Sequence, residues 1–271
     1  VHTDRRYRGY RHTPQLLRSA VLPQYPPVEL PAGPERYEAP PDQRHQRLGK
    51  LVETYVYHQL RSLESVQWIA DSLQINLEQR TVGELDALYL DAGRPVHLEV
   101  AFKFYLYDTE AAYDDPLDHW IGPNRNDTLS LKLAKLAGRQ FPLLRHPAAA
   151  KQLTEYGLVA AGITQRICFK GQLFIPFGRS DVELGPLNPA CVAGYHLPFE
   201  EMGRLAGHRF YIPEKLDWLV EPYAEVTWLD FEVAQALVCA QIEQGRSPMV
   251  WWRSPQGEFG KCFLVGWGRN S

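Results

Sequence analysis

The chain predicts an α/β fold whose elements run helix, three strands, helix and strand, with an added C-terminal α+β region, and three observations carry that expectation. Residues 44–63 place Leu48, Leu51, Val52, Tyr55, Leu60 and Leu63 close to helical spacing. Residues 81–105, TVGELDALYLDAGRPVHLEVAFKFY, alternate in character on both sides of Asp91-Ala92-Gly93-Arg94, a turn in which glycine is available for positive φ, and so read as a hairpin. Residues 124–144 return to helical spacing, and RICFKGQLFIPF at 166–177 returns to strand character.

Composition narrows the function classes. The 271 residues are 45% hydrophobic and 23% charged, which is ordinary for a soluble globular chain. A formal charge of −3 means that any nucleic-acid site must be a local patch on a mildly acidic body. Cys168, Cys191, Cys239 and Cys262 form no C-x-x-C pair and lack nearby histidine spacing, which argues against zinc and for buried thiols in a reducing compartment. No apolar run of membrane-spanning length and no signal peptide is read, so the cytoplasm is the expected location. The chain carries no G-x-S-x-G, no P-loop and no dinucleotide fingerprint, and His196 and His208 have no partner at ligand or triad spacing.

In chain order, residues 1–44 are expected to be a basic arm and a connector. Arg5, Arg6, Arg8 and Arg11 alternate with Tyr7 and Tyr10, a pattern open to phosphate contact and base stacking or to plain solvation. A short helix is expected from Pro14 to Leu22, and then PQYPPVELPAGPERYEAPPD is rich enough in proline to be extended. A core is expected over 45–180. In its first helix, Gly49 would be explained by close packing against another backbone, with Glu53 one turn away either facing the sheet or in solvent. SVQWIADSLQINLEQR supplies the first strand before the hairpin.

Within the hairpin, Val96, Leu98, Val100, Phe102 and Phe104 share an apolar face, and His97, Glu99, Ala101, Lys103 and Tyr105 share a polar one. A two- or four-residue loop centred on Ala92-Gly93 sets Asp86 opposite Glu99; a three-residue loop with a bulge would shift that register by one. Two carboxylates directly opposed destabilise a sheet unless something cationic sits between them. The alternative is an exposed charged sheet face made by Asp86, Glu99 and Lys103. After an acidic, aromatic loop, the second helix is expected behind Asn or Asp caps, with Leu129, Leu133 and Leu136 as its apolar stripe and Lys132, Lys135 and Arg139 as a basic one. Lys170-Gly171 is expected to turn the following strand into a short hairpin. Residues 181–271 hold Trp218, Trp228, Trp251, Trp252 and Trp267, read mainly as core or interface filling, with a helix from Asp230 to Gln244.

This element order, with an acid on the second strand and an acid plus a lysine on the third, resembles the PD-(D/E)XK, or restriction-endonuclease-like, nuclease superfamily. The segments RLGKLVE, GELDALY, HLEVAFKFYLY, IGPNRNDTLSLKLAKL and RQFPL are similar to the bacterial domain-of-unknown-function family numbered 1853, which is grouped with that superfamily. The resemblance implies a mixed central sheet. It also implies Asp86 and Glu99 as ligands of Mg2+ or Mn2+, the Val100 carbonyl as a third oxygen, and Glu53 as the acid often found on the first helix. Two carboxylates and a carbonyl suit a hard, octahedral cation. The implied activity is a metal-dependent phosphodiesterase acting on DNA or RNA, with Lys103 assisting catalysis and Lys132, Lys135 and Arg139 holding phosphates. The chain departs from the superfamily pattern by placing Ala101 where lysine is usual, with Lys103 two residues further on. The alternative is therefore an inactive nuclease-like fold that binds nucleic acid or a protein partner.

Overall fold

Strand character comes first. In a computed structural model, which describes residues 2–18, 21–38 and 47–267, nine strands form one mixed sheet. Strands β1 (Val66–Leu77), β2 (Arg80–Asp91) and β3 (Arg94–Tyr107) form an antiparallel meander. The short β4 (Trp120–Ile121) pairs with the end of β3, and β5 (Thr164–Pro176) runs parallel to β3 over Val96–Leu106. The sheet continues with β6 (Val192–Pro198) parallel to β5 and β9 (Phe259–Val265) parallel to β6. Antiparallel β8 (Met249–Arg253) and β7 (Arg209–Tyr211) complete it. The C-terminal strands thus extend the same sheet.

Helices cover both faces. Helix α2 (Leu48–Arg61) buries Leu48, Leu51, Val52, Tyr55, Val56 and Leu60 on the face formed by Val96, Leu98, Val100, Phe102 and Phe104. On the other face, α3 (Leu129–Lys135) packs Leu129 and Leu133 with Ala101 and Tyr105. Helix α4 (Pro147–Glu155) closes the β1–β2 end, and α5 (Phe231–Glu243) covers the C-terminal strands. Both faces of β3 are therefore covered, which rules out the alternative of an exposed charged face for Asp86 and Glu99: Asp86 is buried, and His97 and Glu99 are fully buried, while Lys103 stays partly exposed.

Several local expectations are corrected. The N-terminal residues form helix α1 (His2–His12), in which Tyr7 and Tyr10 are fully buried against Tyr37 and Tyr55, so neither ring is a stacking platform. Pro14–Leu22 holds no helix among its described residues; Gln15 and Leu17 make bridges to Lys170 and Leu187 instead. Lys170-Gly171 makes no turn, because β5 runs straight through it. Glycine is needed there because an added Cβ would sit 2.8 Å from the Lys103 carbonyl oxygen. Gly49 has nothing within 4 Å of its Cβ position, so it borders open space and not another backbone. Residues 44–46, assigned to the first helix from sequence, and the end of the connector lie outside the described residues.

Candidate functional site

The β2–β3 hairpin closes through Ala92 and Gly93, at φ 47° and 76°, a two-residue turn whose left-handed backbone matches the twist of the strands. Its ladder runs from Asp91↔Arg94 to Ala87↔Leu98, the register that brings Asp86 and Glu99 level. The pairing stops one step before those acids, where the strands part. The Val100 amide then donates to Asp86 Oδ2 at 2.8 Å in place of a ladder bond. In extended backbone the N–H and C=O of one residue face the same neighbour, so the Val100 carbonyl also projects toward this gap.

Each acid is buried and shaped by neutral partners. Glu99 Oε1 lies 3.0 Å from His97 Nε2, and Glu99 Oε2 accepts from Gln140 Nε2 at 2.6 Å. Gln165 Nε2 donates to the Phe141 carbonyl at 2.8 Å and to His97 Nδ1 at 3.0 Å, which leaves Nε2 as the protonated nitrogen of a neutral ring facing Glu99. Burial pushes His97 down to about 4, consistent with that tautomer. Burial, reinforced by the charge of Glu99, pushes Asp86 up to about 7. Burial also raises Glu99 to about 7, against the opposing influence of Lys132. Two like carboxyls in one dry gap resist ionising together.

Two more charged groups converge from the helices. Glu53 on α2 is raised to about 7 by burial and by the charges of Asp86 and Glu84, although Lys50 pairs with it at 2.6 Å. Lys132 on α3 donates to Gln140 Oε1 at 2.9 Å, and its field is felt by both Asp86 and Glu99. Burial lowers its pKa. Of the basic residues Lys132, Lys135 and Arg139, Lys132 is half-buried, three residues after Leu129 and four before Leu136, toward the apolar side of the helix, while Lys135 and Arg139 are exposed. That spacing is the readable signal.

Lys103 does not join this group. Its ammonium pairs with Asp127 at 2.5 Å, in a cleft of about 590 Å3 that Gly49, Lys50 and Glu53 also line. On the other side of the acids a second cleft of about 250 Å3 is lined by Glu84, Asp86, Lys135, Arg139 and Gln140. Asp86 and Glu53 thus open onto different clefts.

Thr128, not Asn or Asp, caps α3, its hydroxyl accepting from the Leu131 amide at 3.2 Å. After Lys135 the helix widens into a π turn over Leu136–Gln140 before the 3₁₀ turn Phe141–Arg145. The extra residue per turn brings Gln140 down onto Glu99, as such turns often do at functional sites.

The donor chemistry fits a hard divalent cation: two carboxylates whose mutual repulsion a cation would relieve, with a backbone carbonyl beside them. Among the described residues no group of three or more His, Cys, Asp or Glu side chains gathers to hold a metal, so such a cation would depend on this pair, the Val100 carbonyl and water. His196, which lacks a partner in the sequence, is buried with Nε2 2.9 Å from the Tyr107 carbonyl, remote from the acids in role. No helix among the described residues is long and apolar enough to cross a membrane.

No curated protein and no solved structure matches the chain. A family model described as Domain of unknown function (DUF1853) matches residues 31–261, and the chain belongs to that family.

Proposed function

We propose that the protein is a metal-dependent phosphodiesterase acting on nucleic acid, built on a restriction-endonuclease-like core. The observation that carries this reading is the pair of buried carboxylates, Asp86 and Glu99, at the point where β2 and β3 part, with the charge of Lys132 acting on both. The order α2, β1, β2, β3, α3, β5, with β5 parallel to β3, supports the core assignment.

In this reading Asp86, Glu99 and the Val100 carbonyl hold Mg2+ or Mn2+, which when bound acidifies water and stabilises charge on the scissile phosphate. Lys132 takes the role that the sequence assigned to Lys103, because it is the amine whose charge acts on both acids. Its lowered pKa suits transfer or sharing of a proton at the attacking water. Gln140 fixes Lys132 and Glu99 relative to each other. Glu53 faces the pair from α2, and Lys50 and Lys103 balance the acids of the larger cleft. Lys135 and Arg139 line the smaller cleft, where a phosphate backbone leading to Asp86 would lie.

Cleavage of labelled single- and double-stranded DNA and RNA with Mg2+ or Mn2+ tests the assignment. The expected outcome is turnover that Asp86→Asn and Lys132→Met each reduce by about 100-fold or more, while Lys103→Met reduces it less than about 10-fold. A wild-type protein that cleaves none of these substrates but binds them would establish the binding-module alternative. Activity lost in Lys103→Met and kept in Lys132→Met would return the role to Lys103.

A further inference from the structure

A third cavity, of about 360 Å3, lies away from the acid pair, between α1 and the segment Leu219–Tyr223. Its lining includes Lys261 on β9, and none of Asp86, Glu99 or Glu53 reaches it. Lys261 is 6% exposed. Its ammonium donates to Gln172 Oε1 at 2.9 Å and to the Trp218 carbonyl at 3.1 Å, both neutral oxygens. Three donors belong to an ammonium, and a buried lysine is ordinarily paired with an acid. The carboxylate whose charge it feels is Glu221, which pairs with it in no salt bridge.

The wall above Lys261 is also cationic. Arg5, Arg8 and His12 recur at three- and four-residue spacing, so they share one face of α1, while Tyr7 and Tyr10 face the core. The Arg5 guanidinium stacks 3.6 Å over the Tyr223 ring and reaches Glu225 at 3.4 Å at the solvent edge. Gly9 lets the helix press onto the Leu219 backbone, since any Cβ there would collide with the Leu219 carbonyl. The lining carries Arg5, Arg8 and Lys261 against the carboxylate of Glu221, in a chain whose net charge is −3; Arg5 also pairs with Glu225, and burial brings Lys261 down to about 8.

We propose that this cavity binds a small phosphate-bearing ligand, with Lys261 at its floor and Arg5 and Arg8 at its rim. Two guanidinium groups at the rim and an ammonium at the floor whose hydrogen-bond partners are neutral oxygens suit the several oxygens of a phosphate. The volume lies at the low end for small-molecule sites and exceeds what a bare oxyanion fills, so the phosphate carries an organic body.

Calorimetry on the full chain with EDTA present, which keeps divalent cations from the acid pair, tests the site with inorganic phosphate, glycerol 3-phosphate, adenosine 5′-monophosphate and adenosine. The expected result is saturable binding of at least one phosphate ester, about 10-fold or more tighter than adenosine. Lys261→Met should abolish it, the rim pair Arg5→Gln and Arg8→Gln should weaken it by about 10-fold or more, and Asp86→Asn should leave it unchanged. If Lys261→Met does not fold, the double arginine variant decides the matter alone. Inorganic phosphate binding as tightly as either ester would overturn the organic ligand and leave a free-anion site. No saturable binding of any phosphate probe, or binding unaffected by the double arginine variant, would overturn the proposal without touching the phosphodiesterase reading.

Discussion

At the scale of single residues the acid pair has a cost that can be measured. Asp86 has its pKa raised to about 7, against about 3.9 for the unfolded chain. The folded state therefore binds the proton more tightly. The resulting stability is fully present below about pH 4 and is lost as pH rises through about 7. Asp86→Asn keeps an oxygen for the Val100 amide and removes the charge, so the variant should be more stable than wild type at pH 8 by roughly 1–3 kcal/mol, with the gap closing toward pH 5. Thermal unfolding without metal reads this directly. Added Mn2+ should raise the wild-type midpoint at pH 8 and leave the variant's unmoved. Parallel curves for the two proteins from pH 5 to 8 would mean that the pair ionises freely in the fold. His97 and Gln165 make the site one-sided, because a neutral imidazole pinned by an amide can only donate to Glu99.

Among the elements, the β2–β3 turn and the α3 region hold the site. Ala92 sits in left-handed backbone, where Cβ costs about 1 kcal/mol, while the following Gly93 escapes that penalty. Ala92→Asn should stabilise the hairpin by about 0.5–1 kcal/mol, read as a higher denaturant midpoint at unchanged slope. A destabilised variant would show that the turn differs from the two-residue form. Lys135 at the end of α3 and Arg139 in the π turn after it are exposed on the cleft beside Asp86, while Lys132 is half-buried. Replacing Lys135 and Arg139 by glutamine should make the salt dependence of duplex binding shallower by roughly 0.9 per lost contact. An identical slope would make them an ordinary solvated helix edge.

For the whole molecule, one sheet carries both the acid pair and the Lys261 cavity, and helices on both faces keep its centre dry. Helix α1 is part of that cover. Tyr7 and Tyr10 fill an aromatic cluster with Tyr37 and Tyr55, and Arg6 pairs with Asp217 at 2.6 Å, tying the N-terminal helix to the C-terminal region. Tyr7→Ala should therefore cost about 3–5 kcal/mol in denaturant unfolding, as truncation of a buried ring does. A loss under about 1 kcal/mol would place α1 off the body of the protein.

Local pattern determined the element types in the central part of the chain and offered, as one of two registers, the one that sets Asp86 level with Glu99, because turn chemistry and two-residue alternation are properties of neighbouring residues. Helical spacing likewise marked α2 and the apolar side of α3. Partners distant in sequence decided the rest. Spacing turns Lys132 toward the apolar side of its helix without saying what that side covers. Only packing of α3 over β3 aims Lys132 at the acids, while the loop after β4 delivers Asp127 to Lys103. Gly171 reads as a turn until β3 lies beside it, and the tyrosines of α1 read as exposed until Tyr37 and Tyr55 close over them. Burial is the common physical reason: whether a charge or a ring meets water depends on the second layer of structure, which the alternation within one strand or helix does not encode.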